Sequence, residues 1–175
     1  VLLPDLANPF FSAILEGISR NLSQMGFSML IASTKQVQDS GEKLVDYLDD
    51  TRADGMIILD GGLDAEVVKS LEGAPQSNRV LFACEWIEGT SFPSVRCENR
   101  KGTRAAVNYL YDLGHRKIAH ITGPEGNVLM LRRRDAFVAE MVKAVGGEKS
   151  RPVVLICAAG MRSARAEKIL IAASL

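Results

Sequence analysis

The sequence predicts an α/β fold, with parallel sheets flanked by helices and arranged as two lobes. Three observations carry this. Short apolar strands alternate with amphipathic helical patterns from the first residue onward, the β-α order that builds parallel sheets. Gly55-Met-Ile-Ile-Leu59 is a continuous apolar run, as a parallel strand buried on both faces requires. The alternation then restarts near Val95, so a first lobe spans residues 1–97 and a second spans 98–175. A length of 175 residues with 47% hydrophobic content is enough for one domain or two small lobes.

Val1-Leu2-Leu3 is the first strand. A helix is predicted over Pro9–Met25, with Asn8 as N-cap and Pro9 at the favoured first position. Phe11, Ile14, Leu15, Ile18 and Leu22 follow helical spacing, and Gly26 ends it. Phe27–Ala32 reads as a strand and Asp39–Leu48 as a second helix, entered through Asp39-Ser40. After Gly55–Leu59 come a short helix over Asp64–Leu71 and a strand over Arg79–Cys84. In the second run, Asn99–Leu113 is helical, with Ala105, Ala106, Tyr109, Leu110 and Leu113 on one side. Gly114 fits the left-handed position that closes such a helix. A strand over Lys117–Thr122, a helix over Met130–Val145, a turn at Gly146-Gly147, a strand over Val153–Ile156 and a helix over Ser163–Ala173 complete the order. No internal repeat or low-complexity linker interrupts it.

Composition narrows the function classes. Lys plus Arg and Asp plus Glu number 21 each, so no basic face of the kind a free-standing nucleic-acid binder shows is demanded. The cluster Arg132-Arg133-Arg134 lies in a helical pattern, so its side chains point in different directions. Cys84, Cys97 and Cys157 are odd in number and lack metal-ligand spacing, which favours a reducing compartment over a disulfide framework. No apolar run approaches the roughly 20 residues that span a bilayer. The chain opens inside a strand without an initiator Met, so we expect a fragment. A cytoplasmic location is expected, with no cofactor and no metal.

Ligands of parallel α/β sheets bind beyond the carboxyl ends of the strands. That rule nominates Asp5–Phe11, Asp60–Gly62, Glu85-Trp86 and Gly123–Asn127, and four loops converging from different strands describe a binding cleft between lobes. Asp60 and Asn127 enter as candidates on this ground. Glu85 is a carboxylate directly after an apolar strand; it accepts hydrogen bonds from ligand hydroxyls or amines, or is a solvated loop acid. Phe10 and Phe11 are ligand-stacking aromatics or helix-start core residues. Asn99 reads as a cap of the helix it begins. His115 and His120 read as structural, one in a turn and one in a strand, with no triad or metal partner near in sequence.

Three segments together resemble the lactose-repressor (LacI) family of bacterial transcription regulators: Pro4-Asp-Leu-Ala-Asn-Pro-Phe-Phe11, Leu113-Gly-His-Arg-Lys-Ile-Ala-His-Ile-Thr-Gly-Pro124 and Arg133-Arg-Asp-Ala-Phe137. The resemblance implies the effector-binding core, with a periplasmic-binding-protein-like two-lobe fold whose second lobe is incomplete. In that family the chain crosses between lobes three times, and only the first crossing is present. The family's aromatic in the first loop packs on a sugar or base face, which would be Phe10 or Phe11. Its strand-end acid would be Glu85. Its Arg-x-x-Gly-aromatic pattern places the ligand arginine at Arg133, with Ala136 departing from the glycine and Arg132 or Arg134 one register away. Glu98-Asn99 resembles the Asp-Asn pair near its crossing. The implied function is to bind a small sugar or nucleoside effector and so shift DNA binding, without catalysis. The implied partners are a second copy, through faces that include the first helix, and operator DNA, through an N-terminal helix-turn-helix absent from this sequence.

Two further readings stand beside it. A periplasmic sugar-binding protein shares the two-lobe architecture, although Gly114-His115-Arg116-Lys117-Ile118 favours the regulator. The tail around Cys157, with Gly160, Arg162 and Ser163, resembles a rhodanese active-site loop, and a cysteine leaving a strand at a helix N-terminus suits a persulfide carrier. That reading implies a sulfurtransferase.

Overall fold

The computed structural model of the protein describes residues 1–49, 52–116, 118–123 and 126–144. The predicted turn at Gly146-Gly147, strand Val153–Ile156, helix Ser163–Ala173 and the Cys157 loop lie outside them. The chain divides into two compact units, Val1–Cys97 and Glu98–Leu175.

The first unit is built on five parallel strands. They are β1 (Leu2–Leu3), β2 (Ala32–Ser33), β3 (Met56–Ile58), β4 (Val80–Ala83) and β5 (Ser94–Val95), in the spatial order β2-β1-β3-β4-β5. Its helices are α1 (Phe10–Gln24), α2 (Thr34–Asp39), α3 (Asp46–Asp49) and α4 (Ala65–Gly73). In register across the sheet, Leu2 meets Ile58 and Ile58 meets Phe82, and all three are at most 3% exposed. The other face carries Leu3 and Leu59, both fully buried, clustered with Phe11 of α1. Burial on both sides is why the central strands read as unbroken apolar runs.

Helix α1 keeps the predicted face and differs at its start. Pro9 occupies the N-cap, while the Asn8 Oδ1 accepts the Phe10 N–H at 3.1 Å from one residue earlier. At its other end, the Phe27 N–H donates to the Leu22 carbonyl (2.9 Å) and the Gly26 N–H to the Ser23 carbonyl (3.2 Å). Gly26 sits at φ +79°, so this is a Schellman closure, which a residue without Cβ adopts at least cost.

Two expectations for the first unit are corrected. The strand predicted over Phe27–Ala32 is confined to Ala32–Ser33. It lies at a sheet edge, where the pairing with β1 begins at Leu2 and Ala32; the Val1 amino group donates to the Leu30 carbonyl (2.6 Å), and Phe27, Leu30 and Ile31 stay exposed. The helix predicted over Asp39–Leu48 is two short helices. Ser33 Oγ caps a helix that begins at Thr34, the chain turns at Gly41 (φ +77°), and Asp46 Oδ2 accepts the Lys43 N–H (3.2 Å) to open the second. The run beginning near Val95 supplies the last strand of this sheet and does not open the second unit.

In the second unit, α5 (Asn99–Asp112) packs against α6 (Val128–Ala144). The buried side of α5 is Thr103, Ala106, Val107, Leu110 and Tyr111, so the predicted face is rotated by about one residue and Tyr109 and Leu113 are exposed. The Arg104–Glu140 ion pair at 3.6 Å joins the helices. Gly114 closes α5 as predicted, at φ +90°, with the His115 N–H donating to the Leu110 carbonyl (3.1 Å). Arg116 adds a hydrogen bond to the Tyr111 carbonyl (2.7 Å) and lies over the Tyr111 ring, a cation on the carbonyl end of the helix. The strand predicted over Lys117–Thr122 is not one in residues 118–123. Ile118 is buried, but among the described residues no segment forms a ladder with this stretch.

Candidate binding site

The carboxyl ends of β2, β3 and β4 carry a connected polar group. Thr34, 2% exposed at the start of α2, donates through Oγ1 to Asp60 Oδ2 at 2.5 Å. Asp60 Oδ1 accepts the Gly62 N–H at 2.8 Å. Glu85 Oε2 accepts the neighbouring Gly61 N–H at 3.0 Å. The two strand-end acids are therefore tied to adjacent amides of one turn. Position 61 has no room for a side chain, because a Cβ there would lie 3.0 Å from Glu85 Cβ and 3.0 Å from the Trp86 carbonyl oxygen.

The backbone aims Glu85 into this arrangement. Cys84 has φ +65°, and the Glu85 N–H donates to the Ala83 carbonyl at 2.8 Å. That is a γ-turn immediately after β4, a strained conformation for a residue with a Cβ. Beyond it, Trp86 is 8% exposed, its Nε1–H donates to Glu88 Oε1 (3.1 Å), and the Arg96 guanidinium lies 4.5 Å over its ring.

The other first-unit candidates separate. Phe11 is 6% exposed and packs in the core against Leu3 and Leu59, while Phe10, in edge contact with it at 5.2 Å, is 47% exposed. Of the two rings, Phe10, at the start of α1, is the exposed one.

In the second unit, Arg133 Nε donates to Asn99 Oδ1 at 2.7 Å. Asn99 therefore does not act as the cap: Glu98 holds the N-cap position, and Asn99 engages the arginine of the facing helix. Arg134 pairs with its neighbour Asp135 (3.0 Å), so of these two arginines Arg133 is the one directed into the unit. Asn127 Oδ1 accepts the Leu129 and Met130 N–H groups (3.0 and 3.2 Å), the capping of α6. His120 stacks on Phe137 at 5.2 Å, and its Nδ1 is buried without a hydrogen-bond partner. Among the described residues, no group of three or more His, Cys, Asp or Glu side chains is placed to hold a metal ion, and no helix is long and apolar enough to cross a membrane.

Residues 1–168 match the family described as periplasmic binding proteins and sugar binding domain of the LacI family. The chain belongs to this family. The match extends across Cys157, Gly160, Arg162 and Ser163, so the LacI-type domain accounts for the segment that resembles a rhodanese loop. The HTH-type transcriptional repressor CytR of Escherichia coli (strain K12) is 30% identical over 138 residues, 79% of this chain and 40% of that protein. The ribose operon repressor of Halalkalibacterium halodurans is 27% identical over 126 residues, 72% of this chain and 36% of its own length. The chain thus spans well under half of these relatives. Among solved structures, a putative ribose operon repressor from Burkholderia thailandensis superposes with a TM-score of 0.71 at 26% identity, over 97% of this chain and 62% of that one.

Within this LacI-family domain, sequence reasoning missed Thr34. Its signal was present: Ser33-Thr34 follows a strand whose end is subject to the same strand-end rule, but that strand was drawn to stop at Ala32. Thr34→Val keeps the shape and removes the donor to Asp60. Because Asp60 is half-buried and water can replace the hydroxyl, we expect a loss of about 1 kcal/mol in chemical unfolding of the first unit.

His120 gives the LacI-type core a pH dependence. Burial, and secondarily the Arg133 charge, hold its pKa below the ordinary 6.5. The unfolded chain then binds more protons than the folded one. The stabilisation is present above pH 6.5 and is lost as pH falls through and below that value. Melting temperature is expected to drop between about pH 7.5 and 5.5, with the drop reduced in His120→Phe.

Proposed function

We propose that this chain is the effector-sensing core of a LacI-type transcription regulator, acting by binding and not by catalysis. The observation that carries the reading is the polar group at the strand ends, in which buried Thr34 and two backbone amides hold the Asp60 and Glu85 carboxylates side by side. Paired acceptors suit the hydroxyls of a sugar or nucleoside, and the exposed Phe10 at the start of α1 suits a weakly polar ring face. In the first unit we assign Phe10, Asp60 and Glu85 to effector binding, and in the second unit, taken by itself, Arg133. Phe11 and Asn127 support the site through the core and through the α6 cap. Arg133 reaches the effector while braced by Asn99, its guanidinium offering donors beyond the one Asn99 takes. The naming of two relatives as repressors of transcription, one of them of a ribose operon, supports this class.

Effector binding would favour one conformation of the parent protein and shift its DNA affinity by the difference in effector affinity between states. Homodimerisation, operator binding through an N-terminal helix-turn-helix and a cytoplasmic location belong to the same reading. Fluorescence anisotropy on duplex DNA tests it. The parent protein should bind operator DNA with an affinity that changes when a pentose, hexose or nucleoside is added. The 175-residue chain alone, with zero net charge, should bind poorly and without sequence preference. Tight, sequence-selective binding by the chain alone would overturn the assignment of DNA reading to another part of the protein.

A further inference from the structure

Two of the three cysteines are brought together at the ends of adjacent strands. Ala83 of β4 is in register with Val95 of β5, and the Cys84 N–H donates to the Val95 carbonyl at 2.9 Å. Cys84 follows the first of these residues by one position and Cys97 follows the second by two. The ladder ends at this pair, β4 at Ala83 and β5 at Val95, so Cys84 and Cys97 lie just past neighbouring strand ends, tied together by the Cys84–Val95 hydrogen bond.

Facing decides whether such a pair can meet. Ala83 packs against the Leu3–Phe11–Leu59 cluster, so its register partner Val95 and, by strand alternation, Cys97 belong to that side of the sheet. Alternation would send Cys84 to the opposite side. Its left-handed backbone (φ +65°) breaks the alternation, and Cys84 packs on the same Leu3–Phe11–Leu59 cluster. The γ-turn that aims Glu85 thus also turns Cys84 towards the face of Cys97. Cys84 is half-buried and Cys97 is exposed, and neither is in a disulfide. Burial, then the charges of Cys97 and Glu85, push the Cys84 thiol up, consistent with two sulfurs within electrostatic reach.

We propose that Cys84 and Cys97 are a reversible thiol–disulfide pair, a modification site for low-molecular-weight disulfides of the glutathione type, which when oxidised fixes the Glu85 strand end to the last residue of the first unit. The exposed Cys97 thiolate attacks one sulfur of the small disulfide, whose S–S bond breaks to release one thiolate and leave a mixed disulfide on Cys97. Cys84 gives its proton to solvent and its sulfur attacks Cys97 Sγ, releasing the second small thiol. Two protein thiols are oxidised by two electrons, and the small disulfide is reduced to two thiols. In a reducing compartment the pair rests reduced and closes as the poise becomes oxidising.

Peptide mapping of the whole chain tests this. Trypsin cuts after Arg79, Arg96 and Arg100, so Cys84 and Cys97 fall on separate peptides, and Cys157 on a third. After incubation of the native protein with glutathione disulfide and alkylation of free thiols, the expected product is the peptide of residues 80–96 joined to that of 97–100 in monomeric protein. It should be absent after a reductant. In Cys84→Ala the reaction should stop at glutathione carried on Cys97, because the resolving thiol is gone. A wild-type product that stays as glutathionylated Cys97, a linkage through Cys157, or no reaction at Cys97 would each overturn the proposal.

Discussion

Phe82→Ala is expected to destabilise the first unit by about 3–5 kcal/mol, read as a shift of the denaturant midpoint with little change in slope. Phe82 is 1% exposed in β4, in register with Ile58, and Leu2 continues that row on β1. Its ring also contacts Phe92 at 5.5 Å, so truncation opens a cavity between the sheet and the loop that returns to β5. The strands on either side are fixed by backbone ladders and cannot collapse into the gap, which places the cost high in the range for aromatic truncation. A loss below about 1 kcal/mol would mean that the row Leu2–Ile58–Phe82 is not the core of this sheet.

Gly61→Val has the second large effect, and it falls on function as well as stability. A Cβ at this position meets the Trp86 carbonyl and Glu85 Cβ, both at 3.0 Å, and neither is the free end of a flexible side chain. The turn must move away from β4, which removes the Gly61 N–H from Glu85 Oε2. We expect about 1–3 kcal/mol of destabilisation from overpacking. We also expect an effector affinity reduced beyond what the stability loss explains, because the two acids no longer share one turn. Gly73→Ala is the control, because a Cβ there meets nothing within 4 Å. Equal binding by the Gly61 variant and wild type would detach Glu85 from the site.

The parts of the fold legible in the sequence are those where one physical rule acts alone. Met56–Ile58 and Val80–Ala83 are fully buried on one face and half-buried on the other, so hydrophobic runs of strand length locate them with little competition. Gly26 and Gly114 mark helix ends because only a left-handed residue closes them cheaply. Where two rules compete, the reading slipped. Phe27–Ile31 is apolar enough for a strand, but the ladder with β1 begins only at Ala32, and Phe27, Leu30 and Ile31 stay exposed. Asp39–Leu48 has helical spacing, yet the Ser33 cap upstream and the turn at Gly41 divide the segment. On α5, alanines and Tyr109 suggested a face one residue away from the one that Val107 and Leu110 bury.

The site shows the same division. Asp60 and Glu85 are nominated by the strand-end rule, which by itself leaves a solvated loop acid equally open; the hydrogen bonds to Gly61, Gly62 and Thr34 that tie them to one turn are tertiary contacts. Arg133 was chosen over its two neighbours through the resemblance, and its hydrogen bond to Asn99 is a tertiary contact that spacing alone does not contain. Thr34 was lost with the end of its strand. The left-handed Cys84 leaves no mark in the sequence, since the strain is held by the Val95 and Ala83 hydrogen bonds on either side of it.

The central proposal is that the chain binds a small sugar or nucleoside through the strand-end acids Asp60 and Glu85 of its first unit; Arg133, in the second unit, is proposed separately as an effector contact. Titration calorimetry on the parent protein, with a pentose, a hexose and a nucleoside against wild type, Glu85→Ala and Arg133→Ala, tests it most directly. We expect one ligand class to bind wild type. Each substitution should weaken that binding by about 1.5–3 kcal/mol, roughly 10- to 150-fold, as loss of a charge-assisted hydrogen bond requires. Wild-type binding that both variants retain unchanged would place the effector elsewhere and contradict the account.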